Sequence, residues 1–323
     1  MKKLLTISNS LVINSKNFLT IKRVNIWFSL YYFFMKNAQF VGWGRKRSGL
    51  WAKMMTKLNG KVLFIEDGFI RSFGLGVNGS PSFSMVKDNI GIYYDATTSS
   101  TLEELLNSYN FSKDQSLMKK AKEAKAKILE YKISKYNNFD DINLSYLDTK
   151  KEKILIIAQT DGDSSLKYGL ANTFSTQEMI NDALSDNIYA EIYIKIHPDV
   201  LAGRKVSDIV VEELPTRCKV LKENINPLVL LNYFSKIYTK TSGMGFEALL
   251  LDKKVYCYGL PFYASWGITE DKLLCPRRVR KLSIDELFAG VYILYSSYYN
   301  PYLDKEIDIL DVIEYIAKNR EGF

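Results

Sequence analysis

The strongest constraint on how this chain can fold is an alternation of strand and helix that runs through its second half. Short apolar runs at Lys153–Ala158, Glu191–Ile196, Lys219–Leu221, Lys236–Thr239 and Lys254–Tyr258 are separated by helix-spaced segments, among them Thr176–Ser185, Pro227–Phe234 and Gly245–Leu251. A helix between two strands returns the chain to the edge it left, so the strands pair in parallel and the fold class is α/β. In such sheets ligands bind just beyond the carboxyl ends of the strands, which makes the residues that follow each strand the ones to inspect.

The first half repeats the alternation less regularly. Strands are predicted at Lys3–Ile7, Phe40–Trp43, Val62–Ile65 and Gly91–Tyr94, with a helix at Ser48–Leu58. A Lys-rich stretch from Ser112 to Ser134 carries apolar residues at helical spacing, and the polar run Tyr136–Lys153 reads as a domain boundary. With 323 residues, 47% of them hydrophobic, the chain can bury two cores of ordinary size.

Composition excludes several classes. Cys218, Cys257 and Cys275 are too scattered for a disulfide framework or a metal site. A net charge of +8 favours anionic company, but no helix-turn-helix, zinc-finger or RNA-binding signature accompanies it, so nucleic acid is not an expected partner. The apolar stretch Val24–Met35 is about half of the roughly 20 residues a spanning helix needs. Met1–Ser10 lacks a cleavage site, so a cytoplasmic protein is expected. Tyr and Phe in Leu30–Phe34 and Tyr292–Tyr302 suit either buried packing or peripheral contact with the inner membrane.

Five segments can carry chemistry. Ala158–Ser165 (AQTDGDSS) ends a strand with two carboxylates, which suits a nucleophile, a general base or an ordinary Asp-Gly turn. Lys195–Pro198 (KIHP) places His197, the only histidine, at a strand end, where it can meet a phosphate or simply cap the turn. Thr239–Leu250 (TKTSGMGFEALL) leads from a strand through Ser242 and Gly243 into a helix, a plausible phosphate cradle or a plain N-cap. Glu247 is expected in the first turn of that helix, holding ribose hydroxyls or complementing the dipole. Gly42–Gly49 (GWGRKRSG) and Ile65–Gly76 (IEDGFIRSFGLG) offer Arg45, Lys46, Arg47 and Arg71 for an anion and Glu66 or Asp67 as a base, or solvated loops and turns.

Taken together and in order, GWGRK, EDGFIRSFGLG, GIYYDAT, the Gln159-to-Ser165 segment, KIHPDVLAG, TKTSGMGFEALL, YGLPFYASWGITED and RRVRKLSIDEL resemble the β-Kdo transferases of capsule polysaccharide synthesis and their lipopolysaccharide-associated relatives. The resemblance covers roughly Gly42 to Tyr302. It implies a GT-B-like fold of two Rossmann-like domains with a cleft between them. Residues 1–135 would form the acceptor-side domain and residues 136–323 the CMP-sugar-binding domain, with the C-terminal helices packing back on the first.

It also implies a retaining transfer of Kdo from CMP-Kdo to a glycan or glycolipid acceptor, with no cofactor and no catalytic metal. On this chain Asp163 would be the nucleophile, Glu66 the acid/base and His197 a partner of the CMP phosphate. Ser242 and Gly243 would bind phosphate and Glu247 ribose, with Lys195 and Gln159 also on the donor side. Because Kdo carries a carboxylate beside its anomeric carbon, Arg45, Lys46 and Arg71 are candidate cations for it. Asp161 is the alternative to Asp163. Rival readings are a transferase for another CMP-nonulosonic acid, of sialyltransferase type, and a non-catalytic export or binding component. The resemblance leaves the acceptor open, because capsule enzymes of this type often carry two such modules and this chain holds one.

Overall fold

The computed structural model describes residues 3–28, 31, 38–59, 61–76, 79–140, 142–196, 200, 206–209 and 213–320. His197 and half of Val24–Met35 lie outside them. The first sheet contains β1 (Lys3–Thr6), β2 (Ile21–Arg23), β3 (Ala38–Trp43), β4 (Val62–Asp67) and β5 (Ser84–Asp88). The second contains β6 (Lys153–Ile157), β7 (Glu191–Lys195), β8 (Cys218–Leu221), β9 (Lys236–Thr239), β10 (Lys254–Cys257) and β11 (Glu270–Asp271). The strands β12 (Ser296–Asn300) and β13 (Lys305–Glu306) return to the first sheet.

The second sheet has the order β11-β10-β9-β6-β7-β8 and is parallel throughout. Its central strand KILII is buried along its whole length, as expected for a strand covered on both faces. Register pairs Ile157 with both Lys195 and Thr239, so three of the chemistry-bearing segments leave the sheet at one edge. The first sheet has the order β13-β12-β5-β4-β3-β1-β2, parallel from β2 to β4 and antiparallel from β4 to β13.

Two expectations are corrected. Gly91–Tyr94 is a turn, because the buried Asp88 carboxylate accepts the backbone N–H of Ile90 and of Gly91, both at 2.9 Å, and wraps the chain around itself. The strand lies just before it, at β5. The helix expected at Gly245–Leu251 begins at Gly243, because Ser242 caps it by accepting from Met244 N (3.3 Å). Glu247 therefore sits beyond the first turn, where complementing the dipole is not its role.

The lobes share one continuous core. Phe69 of the first lobe meets Phe262 of the second edge-on at 5.1 Å, and Phe246 stacks on Tyr292 at 5.8 Å. A buried carboxylate clamps the same seam. Glu103, on the helix Thr101–Ser108, accepts from Arg277 Nε (2.6 Å) and Arg278 Nε (3.2 Å). Arg278 Nη1 donates in turn to the carbonyls of Pro261 (2.6 Å) and Ala264 (2.7 Å). The YGLPFYASWG and RRVRKLS segments thus join the lobes. The helix Ile309–Asn319 packs on the helix Gln115–Tyr131, where Lys127 pairs with Glu314 at 2.6 Å.

Removing one partner of a buried pair strands the others, so Glu103→Ala is expected to cost about 3–5 kcal/mol of stability. Guanidinium unfolding of the variant beside the parent checks this, and a loss comparable to that of an exposed pair such as Lys254–Glu270 would contradict the clamp.

Candidate active site

A cavity of about 680 Å³ opens between the lobes and gathers residues from both. The first lobe contributes Lys46, Glu66, Tyr93 and Tyr94, the connection between lobes contributes Ser134, Lys135 and Tyr136, and the second lobe contributes Gln159, Asp163, Lys195, Ser242, Gly243 and Glu247. Phe69, Phe246, Phe262 and Tyr292 of the aromatic seam form an apolar part of the lining.

On the second lobe, Gly162 at φ +79° turns the chain after β6 so that Asp163 caps the short helix Ser164–Tyr168, its Oδ1 accepting from Ser165 N at 2.9 Å. Asp163 is exposed and lines the cleft, whereas Asp161 is not among the lining residues. Gln159 braces two strand ends, its Oε1 accepting from Thr241 N (2.6 Å) and its Nε2 donating to Thr241 Oγ1 (3.0 Å). The carbonyl of Ser242 accepts from Tyr263 Oη (2.6 Å), which fixes the start of the helix Gly243–Leu250. A side chain on Gly243 would meet nothing within 4 Å, so the helix N-terminus is open to a ligand.

Lys195 leaves the end of β7 and donates to the carbonyl of Glu223 at 2.5 Å, and burial lowers its ammonium pKa against the opposing pull of Glu223. Glu247 accepts from the Ser134 hydroxyl, and burial raises its carboxyl to about 7 despite that bond and nearby Lys135. Such a carboxyl holds a proton close to neutral pH.

On the first lobe, Glu66 ends β4 and accepts from Trp43 Nε1 at 2.6 Å. Burial, then the adjacent Asp67, raise it to about 7, with Lys135 and Lys46 pulling the other way. Gly44 makes this approach possible: at φ +40° its backbone passes so close that a Cβ there would lie 2.1 Å from Tyr94 Oη and 2.6 Å from Glu66 Oε2.

Two expected anion ligands are elsewhere. Arg45 is buried in an ion pair with Asp95, donates to Thr98 Oγ1 at 3.0 Å and lies over the Phe64 ring at 5.0 Å. Arg71 pairs with Asp67 at 3.2 Å, donates to the Ser80 carbonyl at 2.6 Å, and lines a second cavity of about 1290 Å³ on the first lobe. Arg47, Lys46, Trp43 and Tyr136 line that cavity too. Residues that sequence reading missed are Lys135, Ser134 and Tyr93. Their signal was weak, since they fall at a supposed linker and inside a supposed strand. Among the described residues no group of three or more His, Cys, Asp or Glu is arranged to hold a metal ion.

Two α/β lobes with strand ends facing a shared cleft give the GT-B-like, two-Rossmann class. Residues 38–298 match the capsule polysaccharide biosynthesis protein family, and the chain belongs to that family. Among solved structures it resembles Thermosulfurimonas dismutans KpsC, beta Kdo 2,4 transferase, with a TM-score of 0.87 and 39% identity over 98% of each chain. It also resembles the beta Kdo 2,7 transferase of the same organism's KpsC, with a TM-score of 0.75 and 28% identity over 98% of each chain. Curated relatives include the capsule polysaccharide modification protein LipA of Neisseria meningitidis serogroup A, 39% identical over 86% of this chain and 41% of LipA. The lipopolysaccharide-processing protein LpsZ of Rhizobium meliloti is 34% identical over 88% of this chain and 64% of LpsZ. The chain thus spans about two-fifths of LipA and under two-thirds of LpsZ.

The raised carboxyls carry a stability signature. In the unfolded chain Glu66 and Glu247 release their protons near 4.5, and in the folded chain near about 7. The folded state therefore binds more protons in that window, and stability falls as pH rises through it. Glu66→Gln, which cannot ionise, is expected to flatten its share of the decline in denaturant midpoints measured from about pH 5 to about pH 7. A variant with the parent's slope would contradict the buried setting of Glu66.

Proposed function

We propose that the chain is a retaining β-Kdo transferase that takes Kdo from CMP-Kdo and passes it to a glycan or glycolipid acceptor in capsule or lipopolysaccharide synthesis. The observation that carries this reading is that Asp163 and Glu66 line one cleft from opposite lobes. The likeness to two Kdo transferases over nearly the whole chain supports it further.

In the proposed course, an Asp163 oxygen attacks the anomeric carbon, the bond to the phosphate oxygen breaks, and CMP leaves with the electron pair. A glycosyl ester on Asp163 results. The acceptor hydroxyl then attacks the same carbon from the vacated face while Glu66 takes its proton, and the Asp163 carboxylate is released. Two inversions give retention. Glu66 at about 7 suits this duty, since a base whose pKa lies near the working pH can both receive and return a proton.

The CMP phosphate is a weak base that needs donors and positive charge rather than a strong acid. Ser242, the open N-terminus at Gly243 and Lys195 supply them, and Glu247 is placed at the ribose. His197 joins the phosphate on the family resemblance alone. The acceptor would enter from the larger first-lobe cavity, which meets the cleft at Lys46 and Tyr136. We propose that donor transfer needs neither cofactor nor metal. We place the reaction in the cytoplasm, with Trp27, 86% exposed and a few residues after the exposed Lys22 and Arg23, as a contact for the inner membrane. Among the described residues no helix is long and apolar enough to cross a membrane.

Asp163→Ala is expected to reduce Kdo transfer by on the order of 10³-fold or more. Intact-mass analysis of the parent incubated with CMP-Kdo should find a Kdo adduct that is absent from the variant. Transfer at the parent's rate in the variant would sink the mechanism.

A further inference from the structure

The proposed donor brings a carboxylate to the reacting carbon, and the two arginines expected to meet it are committed elsewhere. Arg45 is enclosed with Asp95, and Arg71 is held by Asp67 and the Ser80 carbonyl. Among the described residues, three ammonium groups line the cleft, on Lys46, Lys135 and Lys195. Lys195 is tied to the Glu223 carbonyl at 2.5 Å. Lys46 is exposed, lies over the Trp43 ring at 5.3 Å, and lines both cavities.

Lys135 differs from both. Its backbone is pinned, its carbonyl accepting from Arg71 N (2.9 Å) and Ser72 N (3.3 Å), and Ser134 N donates to Asn137 Oδ1 (3.0 Å). The side chain reaches into the cleft, its ammonium 5.9 Å from the Tyr136 ring centroid, and makes no hydrogen bond or ion pair among the described residues. It lies at the crossing between lobes, close enough to act electrostatically on Glu66 and Glu247 alike.

The neighbouring carboxyls act on it through space without bonding it among the described residues. Asp67 is already paired with Arg71, and Glu66 and Glu247 are raised to about 7, so near neutral pH neither is a full carboxylate. Burial draws the Lys135 ammonium down, yet Tyr93, Tyr136, Asp67 and Glu66 outweigh burial and raise it, so it stays charged. A charged ammonium whose N–H donors meet no acceptor among the described residues is free to bond an incoming anion.

We propose that Lys135 receives the carboxylate of the donor sugar and so distinguishes an acidic sugar from a neutral one on the same nucleotide. This rests on the donor reading given above. The contact is to the sugar alone, so it acts on CMP-Kdo and not on CMP.

The test compares the parent with Lys135→Met, Lys135→Gln and Lys135→Arg in steady-state transfer from CMP-Kdo, beside calorimetric titration with CMP. Loss of a charge-assisted hydrogen bond predicts that both neutral variants raise KM for CMP-Kdo or lower kcat/KM by about 10- to 100-fold. Their Kd for CMP should stay within about threefold of the parent, which also certifies that the cleft is folded, and Lys135→Arg should recover most of the loss. Neutral variants with parental kinetics, or with CMP affinity falling in step with KM, would overturn the assignment of Lys135. A parent that binds CMP but transfers no Kdo overturns the donor reading itself, and the assignment with it.

Discussion

A carboxylate buried between two guanidinium groups fixes the geometry on which the cleft depends. Glu103 sits on the first lobe, Arg277 and Arg278 on the second, and neither side can leave without exposing an unpaired charge to an apolar seam. The fixing does not stop at the pair. Arg278 holds the carbonyls of Pro261 and Ala264, the turn between them carries Tyr263, and Tyr263 holds the Ser242 carbonyl that starts the helix Gly243–Leu250. A first-lobe helix thereby sets where a second-lobe helix presents its N-terminus.

The aromatic seam and the raised carboxyls are two sides of one design. Phe69, Phe246, Phe262 and Tyr292 keep water from part of the cleft, and the same dryness raises Glu66 and Glu247. Only groups able to trade protons or meet counter-ions tolerate such a place, which is why the cleft concentrates them. Asp163, exposed on its helix cap, belongs to the wetter rim.

Much of this was legible in the sequence. Five of the second-lobe strands could be placed within a residue or two because strands covered on both faces read as unbroken apolar runs, KILII most clearly, whereas the two-residue β11 was not read. Their ends then pointed to AQTDGDSS and TKTSGMGFEALL, and both segments reached the cleft. The failures have local causes. GIYY has strand-like composition, but the Asp88 carboxylate three residues before it takes the backbone N–H of Ile90 and Gly91 and turns the chain there. Arg45 and Arg71 read as loop cations, because nothing near them in sequence announces Asp95 or the Ser80 carbonyl. Lys135 hid in plain polar surroundings, since a cation's task depends on what faces it across the chain's long-range crossings.

The return of β12 to the first sheet carries a consequence for how the molecule is made. Until Ser296–Asn300 pairs with Ser84–Asp88, the latter is an open edge with unsatisfied amides on one side. A ribosome delivers those partners only after more than two hundred intervening residues, so the earlier-synthesised lobe matures last. Nascent chains must guard that edge until Ser296–Asn300 has emerged, and a protein lacking that strand would present it permanently to its neighbours.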